Sequence, residues 1–148
     1  MNLKTYREKA LPLIGLAIGP RFEAEARQAH RGERGTDELC VVAQWAGPKL
    51  VGICGLGQET YHYPQKGKAG PAVWLSYFAV HPDYRGRGIG RTLLAKAEQM
   101  AREQGYEWML VETYTTSHFW NARQLYAKAG YSLVGQEHQT LAYRKRLI

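Results

Sequence analysis

The nine residues from Tyr84 to Thr92, YRGRGIGRT, carry three glycines and three arginines. They follow an apolar run, VWLSYFAV (73–80), and lead into TLLAKAEQMAREQ (92–104). Glycine lets a backbone turn its N–H groups inward and lets a ligand come close. A helix start adds unpaired N–H groups and the positive end of the helix dipole. A glycine-rich turn between a strand and a helix is therefore an anion cradle, and a diphosphate is its natural guest. Arg85, Arg87 and Arg91 add positive charge around it. The alternative is a plain glycine turn with solvated arginines; the density of both residue types at this junction favours the cradle. Two familiar phosphate motifs fail here on spacing. G-x-x-x-x-G-K-[ST] needs four residues between its glycines and then a lysine; three separate Gly86 from Gly90, and Arg91 stands in the lysine's place. G-x-G-x-x-G is met by Gly86 and Gly88, but the third glycine falls one place early, at Gly90.

The rest of the chain narrows the chemistry. Cys40 and Cys54 are the only cysteines, each in an apolar strand-like run. They read as small buried hydrophobes in a reduced, cytoplasmic compartment rather than as a disulfide framework. The five histidines are scattered and no zinc spacing exists, so no metal is expected. The net charge of +7 favours an anionic ligand or an acidic partner. The arginines are spread along the chain with no contiguous basic helix, which argues against nucleic acid. No run approaches the ~20 apolar residues of a membrane span. MNLKTYREK followed by ALPLIGLAIG imitates a secretion leader, but Pro12, two glycines and the missing small-residue cleavage site argue against that reading.

These residues need elements to hold them. A chain of 148 residues, 45% hydrophobic and 22% charged, reads as one globular domain over 1–148. Residues 4–18 and 21–31 read as helices, with Pro12 a kink or boundary in the first. GERGTD (32–37) is a turn, 38–45 and 49–61 form a strand hairpin, and 62–70 is a loop. A strand at 73–80 precedes the glycine turn. Ile89, Leu93, Ala97 and Met100 recur at helical spacing over 88–104, with Gly105 as a stop. A strand at 107–113, a helix at 119–129 closed by Gly130, and strands near 131–137 and 140–147 complete the chain. The order αα-βββ-α-β-α-ββ is an α/β (α+β) fold, a mixed sheet with helices packed on it.

VHPDYRGRGIGRTLL (80–94) resembles the acyl-CoA-binding motif of the GNAT superfamily of N-acetyltransferases. That motif is Arg or Gln, two residues, Gly, one residue, then Gly or Ala. Arg85, Gly88 and Gly90 match it, and Val80, Pro82 and Tyr84 match its lead-in. ARQLYAKAGY (122–131) resembles the family's fourth-helix pattern through Ala122, Leu125, Tyr126, Lys128, Gly130 and Tyr131. The likeness spans roughly 38–148. Two features depart from it: no strand is legible ahead of the first helix, and the asparagine common seven residues before the helix tyrosine falls at Phe119, with Asn121 out of register.

The resemblance implies acetyl-CoA as co-substrate and direct attack on it by an amine, from a small molecule or a peptide. It implies that strands 73–80 and 107–113 splay apart and that the pantetheine arm enters the gap. The arm would meet the main chain of Phe78, Ala79 and Val80, and the diphosphate would rest on Arg85, Gly86, Arg87, Gly88, Ile89, Gly90, Arg91 and Thr92, with Tyr126 and Lys128 completing the cofactor side. A main-chain N–H near Phe78 to Val80 would polarise the thioester carbonyl, worth ~3 kcal/mol in the transition state. Tyr126 matches the general acid that protonates the departing thiolate. The base is open between Glu112 and Glu59, each of which also reads as an exposed salt-bridging carboxylate. His118 and His62 are weaker candidates, and His81 belongs to the turn. Tyr61, His62, Tyr63, Trp74, Tyr77, Tyr114, Phe119 and Trp120 form an aromatic set divided between acceptor pocket and core. Three function classes remain: the transferase, an acyl-CoA sensor of the same fold without turnover, and a nucleic-acid-associated protein. A homodimer through the terminal strands' exposed edge is also expected.

Overall fold

The computed structural model describes residues 3–29, 42–57 and 72–148, with side chains from residue 8 to 27 in the first of these stretches. The described chain runs α1 (Leu3–Ala17), α2 (Pro20–Ala29), β1 (Val42–Ala46), β2 (Lys49–Gly57), β3 (Ala72–Val80), α3 (Ile89–Glu103), β4 (Trp108–Tyr114), α4 (Trp120–Lys128), β5 (Ser132–Glu137) and β6 (Thr140–Arg146). Short 3-10 turns at Pro82–Tyr84 and Ser117–Phe119 lead into α3 and α4. The six strands form one mixed sheet in the order β1-β2-β3-β4-β6-β5. β3 runs parallel to β4, with Ala72↔Trp108, Val73↔Met109 and Trp74↔Leu110 in register. β4 and β6 are antiparallel from Trp108↔Arg146 to Tyr114↔Thr140.

The expected element order holds throughout the described residues. No strand precedes α1 among them. Pro12 lies inside α1 rather than at its end. Its side chain is exposed, so the ring meets solvent and the apolar face of the helix is left intact. Leu3–Ala17 of the leader-like run form this helix, and Leu11, Leu13 and Ile14 are core residues at 4% exposure or less. Cys54 is buried, its Sγ donating to Leu93 O at 3.8 Å. Cys40, the 32–37 turn and the 62–70 loop lie outside the described residues. No helix among those described is long and apolar enough to cross a membrane.

The chain divides into two compact units, Met1–Leu56 with Ser76–Ala97, and Gly57–Leu75 with Glu98–Ile148. In the first, Ala10, Leu11, Leu13, Ile14, Ala17 and Ala26 of the two leading helices pack with Leu50, Ile53 and Ala79 of the strands. α3 begins against β2 here. A Cβ on Gly52 would sit 2.8 Å from Leu93 Cδ1 and 3.0 Å from Ile89 Cγ2, so the helix start lies closer to the strand than any side chain would allow. In the second unit, Trp74, Leu110 and Ala142 form a core on which Ala72 and Val134 pack.

Candidate active site

The glycine turn is built as its sequence suggests. His81 closes β3: its backbone N–H donates to Val51 O at 2.8 Å, and its Nδ1 accepts from the Asp83 N–H at 3.1 Å. His81 is thus the cap of the Pro82–Tyr84 turn, as the sequence implies. Gly86 and Gly88 hold φ of 76° and 81°, where a side chain is strained. Among the described residues, a Cβ on Gly86 would meet nothing within 4 Å, and one on Gly88 would meet only Arg91 Nη2 at 3.4 Å. Among the described residues the space over Gly86 is open and only a flexible arginine tip reaches Gly88, so backbone conformation rather than packing against these residues requires both glycines. Thr92 N–H makes the first helical bond, to Gly88 O at 3.0 Å. The N–H groups of Ile89, Gly90 and Arg91 precede it at the positive end of a 15-residue helix with no acidic residue in its first turn.

The three arginines divide the work. Arg85 Nη2 donates to Ala17 O at 2.9 Å, tying the turn to the carbonyl end of α1. Arg87 lies over the Tyr84 ring with its guanidinium carbon 4.7 Å from the centroid and donates to Asp83 O at 3.3 Å. Lys49 Nζ stands 5.4 Å from the same ring. Arg91 extends over Gly88. Upstream, β3 passes from buried Val73–Leu75 to half-buried Ser76–Phe78, and Tyr77 has φ 49°, a left-handed backbone in a bulky residue. This irregularity lies one residue before Phe78, Ala79 and Val80, the main-chain segment expected to face a thioester. Such strain collects at functional sites.

In the second unit α4 carries Tyr126 and Lys128. Gly130 (φ 95°) ends the helix, with Gly130 N–H donating to Ala127 O at 3.2 Å and Tyr131 N–H to Tyr126 O at 3.0 Å. This is the paired closure of a Schellman motif, which sets Tyr126 and Tyr131 side by side. Their ring centroids are 5.8 Å apart, and Tyr143 stands 6.3 Å from Tyr126 on β6. Tyr126 is 3% exposed. Lys128 is exposed in the last turn, where its charge complements the carbonyl end of the helix. Glu112 is half-buried on β4, opposite Ala142. Arg123 Nη1 donates to Tyr114 O and Thr116 O and fixes the crossing into α4.

Glu59 and three of the aromatic set, Tyr61, His62 and Tyr63, lie outside the described residues. The others separate. Trp74 is core, and Tyr77 packs on the helical core of the first unit. Tyr114, Phe119 and His118 form a ring cluster with centroids 4.9 and 5.0 Å apart. Trp120 is 54% exposed. Among the described residues no group of three His, Cys, Asp or Glu side chains is placed to hold a metal.

One cluster was not read from the sequence. Glu98, 6% exposed, accepts from Tyr131 Oη at 2.8 Å and from Lys145 Nζ at 3.0 Å. Burial, and then the Glu98 carboxylate, hold the Tyr131 phenol well above its ordinary pKa. The available signal was a charge on an apolar helix face: Glu98 is four residues after Leu94 and three before Ala101.

The profile of the acetyltransferase (GNAT) family matches residues 8–131. The chain belongs to this family. Solved structures agree on the fold. An N-acetyltransferase, PaiA, of Thermoplasma acidophilum, in complex with coenzyme A, superposes with a TM-score of 0.69 at 16% identity, over 97% of this chain and 92% of that one. An aminoglycoside 6'-acetyltransferase gives 0.70 at 19% identity, over 100% and 95%. A ribosomal-protein alanine N-acetyltransferase of Escherichia coli gives 0.67 at 15% identity, over 97% and 88%. The six-stranded sheet and flanking helices are those of a GNAT acetyltransferase.

Proposed function

We propose that this GNAT chain is an N-acetyltransferase that uses acetyl-CoA and acetylates an amine. The observation that carries the reading is the cradle: two glycines at positive φ directly ahead of the first N–H groups of α3. Acetyl-CoA would supply an activated acyl group whose leaving sulfur is a good departing atom. The diphosphate would rest on the amides of residues 85–91, with the charge of Arg87 and Arg91 beside them, and Thr92 closes the first helical turn beneath. The main chain of Phe78, Ala79 and Val80, displaced by the turn of the backbone at Tyr77, presents amide and carbonyl groups to the acyl arm and its thioester oxygen.

Two side chains move protons. Tyr126 Oη holds the proton that the leaving sulfur takes. Glu112 is the described carboxylate that accepts a proton from the ammonium of the acceptor, directly or through water, because only the neutral amine is a nucleophile. The acceptor is an amine on a small molecule or a peptide. An apolar acceptor suits the Tyr114, His118 and Phe119 cluster, and the net charge of +7 disfavours a polyamine.

Isothermal titration with acetyl-CoA, with dephosphorylated pantetheine as control, tests the cradle. Saturable one-site binding that depends on the diphosphate is expected. A folded sample that binds neither compound overturns the reading.

A further inference from the structure

Tyr126 is set in place by a contact that continues past it. The Schellman closure of α4 puts Tyr126 three positions before the helix cap and Tyr131 two after it, and their rings meet at 5.8 Å. Tyr131 is anchored in turn. Its hydroxyl donates at 2.8 Å to Glu98, which belongs to the last two turns of α3. Lys145 Nζ of β6 contacts both Glu98 oxygens at 3.0 and 3.2 Å and lies 5.7 Å from the Tyr131 ring. Arg102 Nη2 approaches Glu98 at 3.9 Å. A carboxylate buried to 6% exposure is costly unless its oxygens are satisfied, and here both are. A hydroxyl at the tip of Tyr131 is not needed for core packing, since phenylalanine fills the same volume. Its presence opposite a buried carboxylate fixes the ring at both ends, by backbone at one and by hydrogen bond at the other.

We propose that Tyr131 and Glu98 are positioning residues for Tyr126: the Tyr131–Glu98 hydrogen bond holds the Tyr131 ring, and that ring holds Tyr126 in the orientation that proton delivery requires. The inference rests on the reading of Tyr126 as the general acid. Lys145 keeps the Glu98 charge neutralised, and the Tyr131 hydroxyl sets direction.

The test uses the full chain with 13C-labelled tyrosine, as wild type and as Tyr131→Phe, Glu98→Ala, Glu98→Gln and Tyr126→Phe. Two readouts are taken: the Tyr126 ring resonances by NMR, and thiol release from acetyl-CoA with a panel of aliphatic and aromatic primary amines. In Tyr131→Phe and Glu98→Ala the Tyr126 resonances are expected to shift and broaden. For an amine that is turned over, kcat should fall about tenfold while KM for acetyl-CoA stays constant, since a small misplacement of a reacting group costs rate rather than binding. Glu98→Gln, which keeps an oxygen for the Tyr131 hydroxyl, should retain both the resonances and kcat. Tyr131→Phe should cost nothing further in a Tyr126→Phe background. Unchanged Tyr126 resonances in Tyr131→Phe overturn the proposal. A crippled Tyr126→Phe beside a fully active Tyr131→Phe overturns the positioning role alone. A fully active Tyr126→Phe removes the general acid and the positioning role with it.

Discussion

At the scale of single residues, the cradle makes the sharpest demand. Gly88 sits at φ 81° beneath the tip of Arg91, so Gly88→Glu adds a left-handed strain of about 1–2 kcal/mol and a negative charge where an anion should rest. Coenzyme A affinity measured by titration should drop more than tenfold in a protein that stays folded; wild-type affinity would place the site elsewhere. On the proposed reading, Tyr126→Phe removes the proton donor of the leaving sulfur. General acids contribute on the order of 10²-fold or more, so kcat should fall by about that factor with acetyl-CoA affinity unchanged. Tyr131 gives a pH signature. Its phenol is held above the usual value in the folded chain, so its share of stability is complete below pH ~10 and is lost as pH rises beyond, where the unfolded tyrosine ionises and the folded one does not. The stability gap between wild type and Tyr131→Phe in urea should therefore narrow above pH ~10. A gap that is flat or widens there would contradict a buried, protonated phenol.

Elements decide where the cradle stands. Gly52 of β2 admits the first turn of α3, and an alanine there would push on Leu93 and Ile89 at 2.8 and 3.0 Å. Leu93 is fully buried, so the push moves the helix. Gly52→Ala should destabilise by about 1–3 kcal/mol and weaken coenzyme A binding severalfold although it touches no ligand; unaltered binding would show that the helix start is not fixed by this strand. Pro12 tests α1 in the opposite direction. An interior proline costs a helix about 3 kcal/mol, part of it returned by a stiffer unfolded chain. Because its side chain is exposed, Pro12→Ala should raise stability by about 2 kcal/mol in urea denaturation. The helix over 4–18 was legible in the sequence, with Pro12 open between kink and boundary; the burial of Leu11, Leu13 and Ile14 against the strands outweighs one lost backbone bond and keeps Pro12 inside the helix.

For the whole molecule, the proposal of a homodimer belongs to the sheet edge. β5 is the last strand in the order and Leu133 on it is 54% exposed, an edge of the kind that accepts another strand. Size-exclusion chromatography with light scattering should show the mass of two chains; a particle of 16.8 kDa would end that proposal. By itself the sequence determined the order of elements, the strand–turn–helix around Tyr84 to Thr92, and the kinship of both motifs, because glycine placement and apolar period are local properties of the chain. It also marked His81 as a turn residue, since a Pro and an Asp follow it directly. Only the tertiary structure decided what Arg85 does with its guanidinium, how closely α3 lies on Gly52, and that Glu98 meets Tyr131 and Lys145. Those contacts join residues 33 to 68 positions apart, and no local pattern encodes a partner at that distance. In the sequence Tyr131 is the last letter of a motif; its proposed role depends on a carboxylate that folding alone brings to its hydroxyl.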